Sequence, residues 1–580
     1  MSQAVITNRI RLMVIFVVCL FVLFAGRLFQ IQGVDSKAFA AMAVENGTKK
    51  VSVPAPRGAI VDRNGAELVG SQDGLTITAD PSMTAENAPE IARILHSSLG
   101  DKIDYFDTIQ KLRTPKSKFV YLAKDLPTYE AQRAIKAVAK AGYPGVFSET
   151  ESLRKYPGGS LAASVLGITE AGGKGIAGLE LQYDKALTGK GGSSTYEISA
   201  TGQRIPMADS TVAEMIPGGE VRTTLDRDLQ WYADQRLRDV VSSAGADYGL
   251  AITMDVRTCQ IVQMSQAPTF NPETREGLEG SALVNRAVSN VFEPGSVMKT
   301  ITMAALADQG KISSDSKLTV PSAMVIDKFP IGDYWQHGTL KLTAAGVIAK
   351  SSNLGTIVAA NKMSDSTFYR YLRAFGFGAK SGIDLPEETV GLVAPARDWT
   401  KAKHATTSFG QGVSVNAIQM VRAVGAIANG GVMCTPKIVD SVRSGDGAKH
   451  TVSPGATKRV VSKQAAAEVT RMMEAVTADD GTAPTAQIDG YRVAGKTGTA
   501  WRVNPQTGRY VRGQNTISFM GFAPADNPRF ITYVVIDKPP RNAGGGSMAG
   551  PVFKDIMSMA LERFAVAPTG SKSPKIAQEW

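Results

Sequence analysis

Three short polar motifs constrain this 580-residue chain more than any other feature: Ser296-Val297-Met298-Lys299, Ser351-Ser352-Asn353 and Lys496-Thr497-Gly498-Thr499, in that order. Each is cheap alone, since composition predicts about two S-x-x-K matches in a chain this long. Their surroundings give them weight. Phe292-Glu293-Pro294-Gly295 breaks the chain before Ser296, and Val297 to Ala307 is almost wholly apolar apart from Lys299, Thr300 and Thr302. The pattern predicts a helix buried on most faces, ending before Gly310, with Ser296 at its N-terminal end. The helix dipole there favours developing negative charge. Lys299 lies one turn on, so its amine can sit beside the Ser296 hydroxyl. Burial lowers a lysine pKa, and a neutral amine can take the serine proton.

Ser351-Ser352-Asn353 stands between two apolar stretches, Ala344 to Ala349 and Leu354 to Ala360. Taken alone it reads as a helix-initiating turn; between buried segments it suits a loop projecting into a cleft. There Ser351 could relay a proton and Asn353 could hydrogen-bond a substrate amide. Lys496-Thr497-Gly498-Thr499 falls in a strand pattern, Val493 to Ala500, where Gly498 removes a side chain for a close backbone approach. As an edge strand it can pair with an extended peptide, Lys496 and Thr497 meeting a carboxylate. Gly490 to Thr497 also fits the phosphate-loop pattern G-x-x-x-x-G-K-[ST]. That motif needs a helix opening at the lysine, and Gly498, Thr499 and Trp501 do not begin one. The four histidines are scattered and none falls in a G-x-S-x-G context, which disfavours a Ser-His-Asp triad.

The chain carries 64 Lys and Arg against 53 Asp and Glu, a net charge of +11, without the basic-aromatic interleaving of nucleic-acid surfaces. A basic exterior near an anionic envelope is the expected meaning. No metal-ligand spacing occurs. Of three cysteines, Cys19 lies in an apolar run, so only Cys259 and Cys434 could pair, and two free buried thiols are expected. Leu12 to Gly26 is unbroken apolar sequence between Arg9/Arg11 and Arg27. The A-x-A-like sites at Ala38 and Ala41 lie too far on for a signal-peptide cleavage. Ile10 and snorkelling arginines extend the run to a workable span. We read an uncleaved anchor, with Arg9, Arg11 and the amine keeping the N-terminus cytoplasmic and the rest extracytoplasmic.

Residues 31–48 look like a helical stalk. Lys49 to Val53 alternates as a strand, and Asn64-Gly65 marks a hairpin between Ala59–Asp62 and Glu67–Val69. Ala85 to Lys140 is mostly helical, and 151–190 is Gly-rich. After a shift near 220, Asp226 caps a helix running to Val241. Tyr248–Met254 and Gln260–Met264 pair as strands, helices dominate to Asn429, and strands return at Tyr491–Ala500, Thr516–Ala523 and Phe530–Ile536. Strands at both ends with helices between predict one α+β domain whose sheet joins the two ends. The Ser/Lys/Pro-rich tail 566–580 is expected to be disordered.

Taken together the motifs resemble those of class B penicillin-binding proteins, monofunctional peptidoglycan D,D-transpeptidases, most like the septal cell-division type. Arg57-Gly58-Ala59-Ile60-Val61-Asp62-Arg63-Asn64-Gly65 is similar to the class B opening R-G-x-I-x-D-R-x-G. Arg154-Lys155-Tyr156-Pro157-Gly158 through Gly167, and Gly175 to Glu180, resemble further pedestal blocks. Asn285-Arg286-Ala287 through Ser296 and Phe409-Gly410-Gln411-Gly412 resemble the family's active-site surroundings. Ser164 stands where many members have His, and Cys259 where a turn Gly is usual. The resemblance implies a cytoplasmic tail (1–9), a transmembrane anchor (10–30), the stalk, and an irregular α+β pedestal of dimerisation type (49–220). A penicillin-binding, serine β-lactamase-like transpeptidase domain with an antiparallel sheet flanked by helices (221–565) would follow.

It further implies Ser296 as nucleophile on the penultimate D-Ala, Lys299 as base, and Ser351, Lys299 or both protonating the leaving D-Ala. Asn353 would hold the substrate amide. Backbone N–H groups of Ser296 and Thr499 would form the oxyanion hole, and Lys496, Thr497 and Thr499 would bind the carboxylate beside Gly498. No cofactor or metal is implied. Stem peptides of glycan strands or their lipid-linked precursor, β-lactams and a membrane glycosyltransferase of the wall-synthesis complex are the implied partners. An elongation-type enzyme is the second reading; a β-lactam or D-Ala-D-Ala hydrolase and a non-catalytic scaffold are more distant ones.

Overall fold

The computed structural model describes residues 3–35, 37, 48–170, 172–197, 210–279, 282–453, 455–504, 507 and 509–580. Helix α1 (Gln3–Phe29) runs on through a π-helical turn to Val34, and is long and apolar enough to cross a membrane. At 1.5 Å per residue its 27 residues rise about 40 Å, against about 30 Å of hydrocarbon. Most of the expected stalk lies outside the described residues.

The pedestal begins with Thr48–Val53, which pairs with Gly192–Glu197 and through it with Ser210–Ala213. Strands β1 (Ile60–Val61) and β2 (Glu67–Ala79) flank the Asn64-Gly65 turn. Gly65 takes φ +90°, and Asp62 Oδ1 accepts the Asn64 and Ala66 N–H groups at 2.8 Å each. Strand β2 pairs along its second half with both β3 (Val120–Pro127) and β4 (Val146–Lys155). Helices Ala88–Leu99 and Thr128–Lys140 close a separate core there through Ile91, Leu95, Ala134 and Val138. Strand β5 (Glu220–Thr223) lies parallel to β1. At the pedestal's base the fully buried Glu180 takes Arg57 Nε at 2.6 Å and Arg154 Nε at 2.7 Å, one on each carboxylate oxygen. Arg154 Nη1 also donates to Gly58 O at 2.8 Å, so three family-like blocks meet at one ion cluster.

The larger half opens with α2 (Arg227–Ala244), capped by Asp226, which accepts from Leu229 N, and ended by Gly245 at φ +59°. Leu229, Ala233, Leu237 and Val241 form its buried stripe. The hairpin β6 (Tyr248–Asp255) and β7 (Ile261–Ala267) follows, then α3 (Met298–Asp308), β8 (Lys317–Val320), β9 (Leu340–Thr343), α4 (Ala344–Ala349), α5 (Asn353–Ala360) and α6 (Ala417–Ala428). Strands β10 (Val439–Arg443) and β11 (Lys449–Thr451) leave this half to complete the pedestal sheet, whose order is β11-β10-β5-β1-β2-β3. Backbone pairing therefore crosses the division expected at 220.

After α7 (Lys463–Thr477) come β12 (Ala494–Val503), β13 (Tyr510–Ala523), β14 (Phe530–Asp537) and α8 (Gly550–Arg563). The central sheet runs β7-β6-β14-β13-β12, antiparallel throughout. Strand β14 is buried along its whole length, packed by α6 and α8, and β12 is the outer strand among the described residues.

Two expectations are corrected. Cys259 and Cys434 are joined in a disulfide with Cα atoms 6.3 Å apart. The Cys259 turn meets the chain after Cys434 by backbone bonds, Lys437 N to Cys259 O and Ile261 N to Lys437 O, at 2.8 Å each. Cys259 also takes φ +60°, the conformation that makes glycine usual there. The tail is exposed from 567 to 573, but its last residues dock instead of standing free: Gln578 is buried, and Glu579 bridges to Leu342 in β9. Its polar composition hides the few groups that dock, Ile576 and Trp580 among them.

Candidate active site

Ser296 lies in a 3-10 turn, Gly295–Val297, that runs directly into α3. Every residue from Met298 to Leu306 is buried, so Lys299 has no exposed surface. Tight backbone packing fixes the turn. A Cβ on Gly295 (φ +55°) would come within 2.6 Å of Thr499 O, and one on Gly410 within 2.0 Å of Gly295 O. Gly295 N bonds Gly410 O at 3.1 Å, which accounts for the Phe409-Gly410-Gln411-Gly412 block. Gly498 meets the expected need for close approach: a Cβ would lie 2.2 Å from Ser518 Oγ and 3.0 Å from Val297 Cγ2. Strand β12 can thus press on the Ser296 turn while pairing with β13.

Ser351 projects between α4 and α5 in the left-handed conformation, φ +55°. Ser352 caps α5, accepting from Gly355 N at 2.9 Å, so the helix-initiating and cleft-lining readings both hold. Lys299 Nζ donates to Ser351 O at 2.5 Å and lies 3.4 Å from Ser351 Oγ. From β12, Lys496 Nζ donates to Ser351 Oγ at 2.9 Å and to Thr497 Oγ1 at 3.1 Å. Lys496 is also fully buried, within a strand rather than at a helix start, which sets the phosphate-loop pattern aside.

Burial brings the Lys299 amine down to about 7, with the charge of Asp333 opposing the shift. Burial, and then the charge on Lys299, hold Lys496 well below its ordinary value. Two cations so close in a dry site oppose each other. A neutral amine beside Ser351, which lines the same cleft as Ser296, can accept a hydroxyl proton and return it.

These groups open into a cleft of about 960 Å³, lined by Ser296, Ser351, Asn353, Thr497 and Thr499. Trp501 and Trp335 stand in its walls, and Asp480–Thr482 and Gly544–Ser547 line it as well. Thr499 and Trp501 alternate outward from β12. All the expected site residues therefore share one cleft or its buried floor. Asp333 was missed. Its Oδ1 accepts the backbone N–H groups of Asn353 (2.5 Å) and Leu354 (3.1 Å), and Oδ2 accepts from Ser352 Oγ (2.6 Å) and faces His337 Nε2 at 3.0 Å. No local pattern marks an acidic residue so far before the motif it holds.

A serine on a buried helix turn, two desolvated amines and an open strand edge define a serine acyl-transfer centre of the Ser-Lys kind. The penicillin binding protein transpeptidase domain matches residues 249–558, and the penicillin-binding protein dimerisation domain matches residues 52–223. The chain is 35% identical over 580 residues to penicillin-binding protein PbpB of Mycobacterium tuberculosis, covering 95% of this chain and 84% of that one. It is 32% identical over 533 residues to peptidoglycan D,D-transpeptidase FtsI of Escherichia coli, covering 90% and 86%. Penicillin binding protein 3 of Mycobacterium tuberculosis, solved with aztreonam, matches with a TM-score of 0.71 at 31% identity, over 91% of this chain and 100% of that one. The chain belongs to the class B penicillin-binding proteins and is a membrane-anchored, serine-type peptidoglycan D,D-transpeptidase.

Proposed function

We propose that Ser296 is the acylated nucleophile and Lys299 its base. The observation that carries this is the convergence of two buried amines, Lys299 and Lys496, on Ser351 at the floor of the cleft that Ser296 lines. The Ser296 proton passes to Lys299 as Oγ bonds the carbonyl carbon of the penultimate D-Ala. Backbone N–H groups of Ser296 and Thr499 hold the oxyanion. The C–N bond then breaks, and the proton returns through Ser351 or directly from Lys299 to the departing D-Ala amine. Asn353 holds the substrate amide, while Lys496, Thr497 and Thr499 hold the terminal carboxylate beside Gly498. An acceptor amine from a neighbouring stem peptide resolves the acyl-enzyme, and a β-lactam stalls at the same stage.

Resemblance to PbpB and FtsI supports a septal role, and we further propose a membrane glycosyltransferase of the wall-synthesis complex as the polymerase partner. Arg9 and Arg11 support a cytoplasmic N-terminus and an extracytoplasmic cleft.

Intact-mass spectrometry with a fluorescent penicillin, beside Ser296→Ala, tests the assignment. One persistent adduct lost in the variant is expected. A transient adduct would point to a hydrolase, and an adduct surviving in Ser296→Ala would overturn the nucleophile.

A further inference from the structure

The chain segment 574–580 reaches the active site from behind. Along β9, Thr343 N donates to Gln578 O at 2.9 Å, Thr343 Oγ1 donates to Ala577 O at 2.6 Å, and Trp580 N donates to Lys341 O at 3.2 Å. With the isolated Leu342–Glu579 bridge, these contacts lay residues 577–580 alongside β9. The same Thr343 hydroxyl caps α4, accepting from Gly346 N at 3.0 Å. Gly346 sits in the middle of this buried helix, where alanine would ordinarily be favoured. Its reason is the segment itself, because a Cβ at Gly346 would fall 1.9 Å from Gln578 O. Helix α4 is six residues long, and Ser351 N and Ser352 N bond its Ile348 O and Val347 O. The seat of the segment is thus one short helix away from Ser351. Two weaker contacts reinforce it. Glu579 pairs with the cleft-lining Lys350 at 3.4 Å, and Trp580 lies 4.9 Å from both the Lys317 and Lys341 amines.

We propose that residues 574–580, seated on Gly346 and Thr343, are a positioning element for the Ser351–Asn353 turn. They set the depth of α4 and with it the distance from Ser351 Oγ to the two lysine amines. The inference rests on the Ser296–Lys299–Ser351 reading.

The test uses the full chain in detergent and resolves acylation by a fluorescent penicillin into its binding constant and its acylation rate constant k2. Deletion of residues 574–580 is expected to lower k2 about 10- to 100-fold, as for a displacement near 1 Å, with binding changed far less. Gly346→Ala, which unseats the segment while favouring the helix, should lower k2 in the same way. A synthetic peptide of residues 570–580 added to the deletion variant should restore k2, which a global loss of folding would not allow. Wild-type k2 in either variant, or no recovery with saturating peptide, overturns the proposal. If the deletion variant does not fold, Gly346→Ala decides alone. Failure of the wild type to be acylated at Ser296 would instead sink the underlying mechanism.

Discussion

With Lys299 as the base, acylation should follow the fraction of its amine that is neutral. For a pKa brought down to about 7, that fraction is about a tenth at pH 6, half at pH 7 and nine-tenths at pH 8. The rate constant should therefore rise about tenfold from pH 6 to pH 8 and then level off. The charge of Asp333 is what keeps the Lys299 value from falling further. Asp333→Asn removes that charge but leaves an oxygen able to accept the Asn353 and Leu354 N–H groups. Its acid limb should therefore move to lower pH, even if the plateau drops. Stopped-flow acylation from pH 5 to 9, wild type beside variant, measures both. A flat wild-type profile between pH 6 and 8, or an acid limb that moves upward in Asp333→Asn, would refute the assignment. The linked stability has a definite sign. Lys299 binds its proton more weakly in the folded chain than unfolded, so the unfolded state holds more protons from about pH 7 to the ordinary lysine value. Its contribution to stability therefore improves as pH rises through that window.

Glu180→Gln would leave Arg154 buried without its counter-charge and Arg57 with only Asp184 as a counter-charge. It should cost about 3–5 kcal/mol, read as a lowered denaturant midpoint, and a loss below about 1 kcal/mol would contradict the cluster's role. Gly498→Ala should force β12 away from Ser518 or the Ser296 turn and slow acylation about 10- to 100-fold, and an unchanged rate would show that the approach is slack. Reducing the Cys259–Cys434 bond frees a loop of 175 residues, for which chain entropy sets a ceiling of about 5 kcal/mol. Unfolding midpoints with and without reductant should differ accordingly, with acylation at 25 °C retained; coincident midpoints would refute the expectation.

How much of this was legible in the sequence follows contact range. The buried helix behind Ser296, the strand around Lys496 and the Asp226 cap are written in local periodicity, and the structure places each there. Gly498 signalled close approach without saying what approaches, and nothing local to Gly295 or Gly410 showed that each packs on backbone. Asp333, the disulfide and the docked tail could not be read locally, because each partner lies far along the chain or is main chain. Gly346 shows the limit plainly: in sequence it is one small residue in an apolar run, and only the Gln578 carbonyl explains it. The strand β10 was missed for the same reason, since nothing near Val439 says that its partner is Glu220–Thr223.

That strand exchange gives the molecule a load path. A displacement of the pedestal strand β1 reaches β10 through two backbone ladders, β1 to β5 and β5 to β10, not through side chains that can slide. Thr224 fastens the same junction, its hydroxyl on Ile261 O at 2.6 Å and its N–H on Ile438 O at 2.8 Å. Five residues before β10, Cys434 is bolted to the β6–β7 turn, so the strain arrives in the central sheet within a few covalent steps. The halves cannot be swapped like modules either. Residues 221–565 excised alone would keep most of the β10–β5 ladder but strip β1 from β5, leaving a raw edge that invites aggregation.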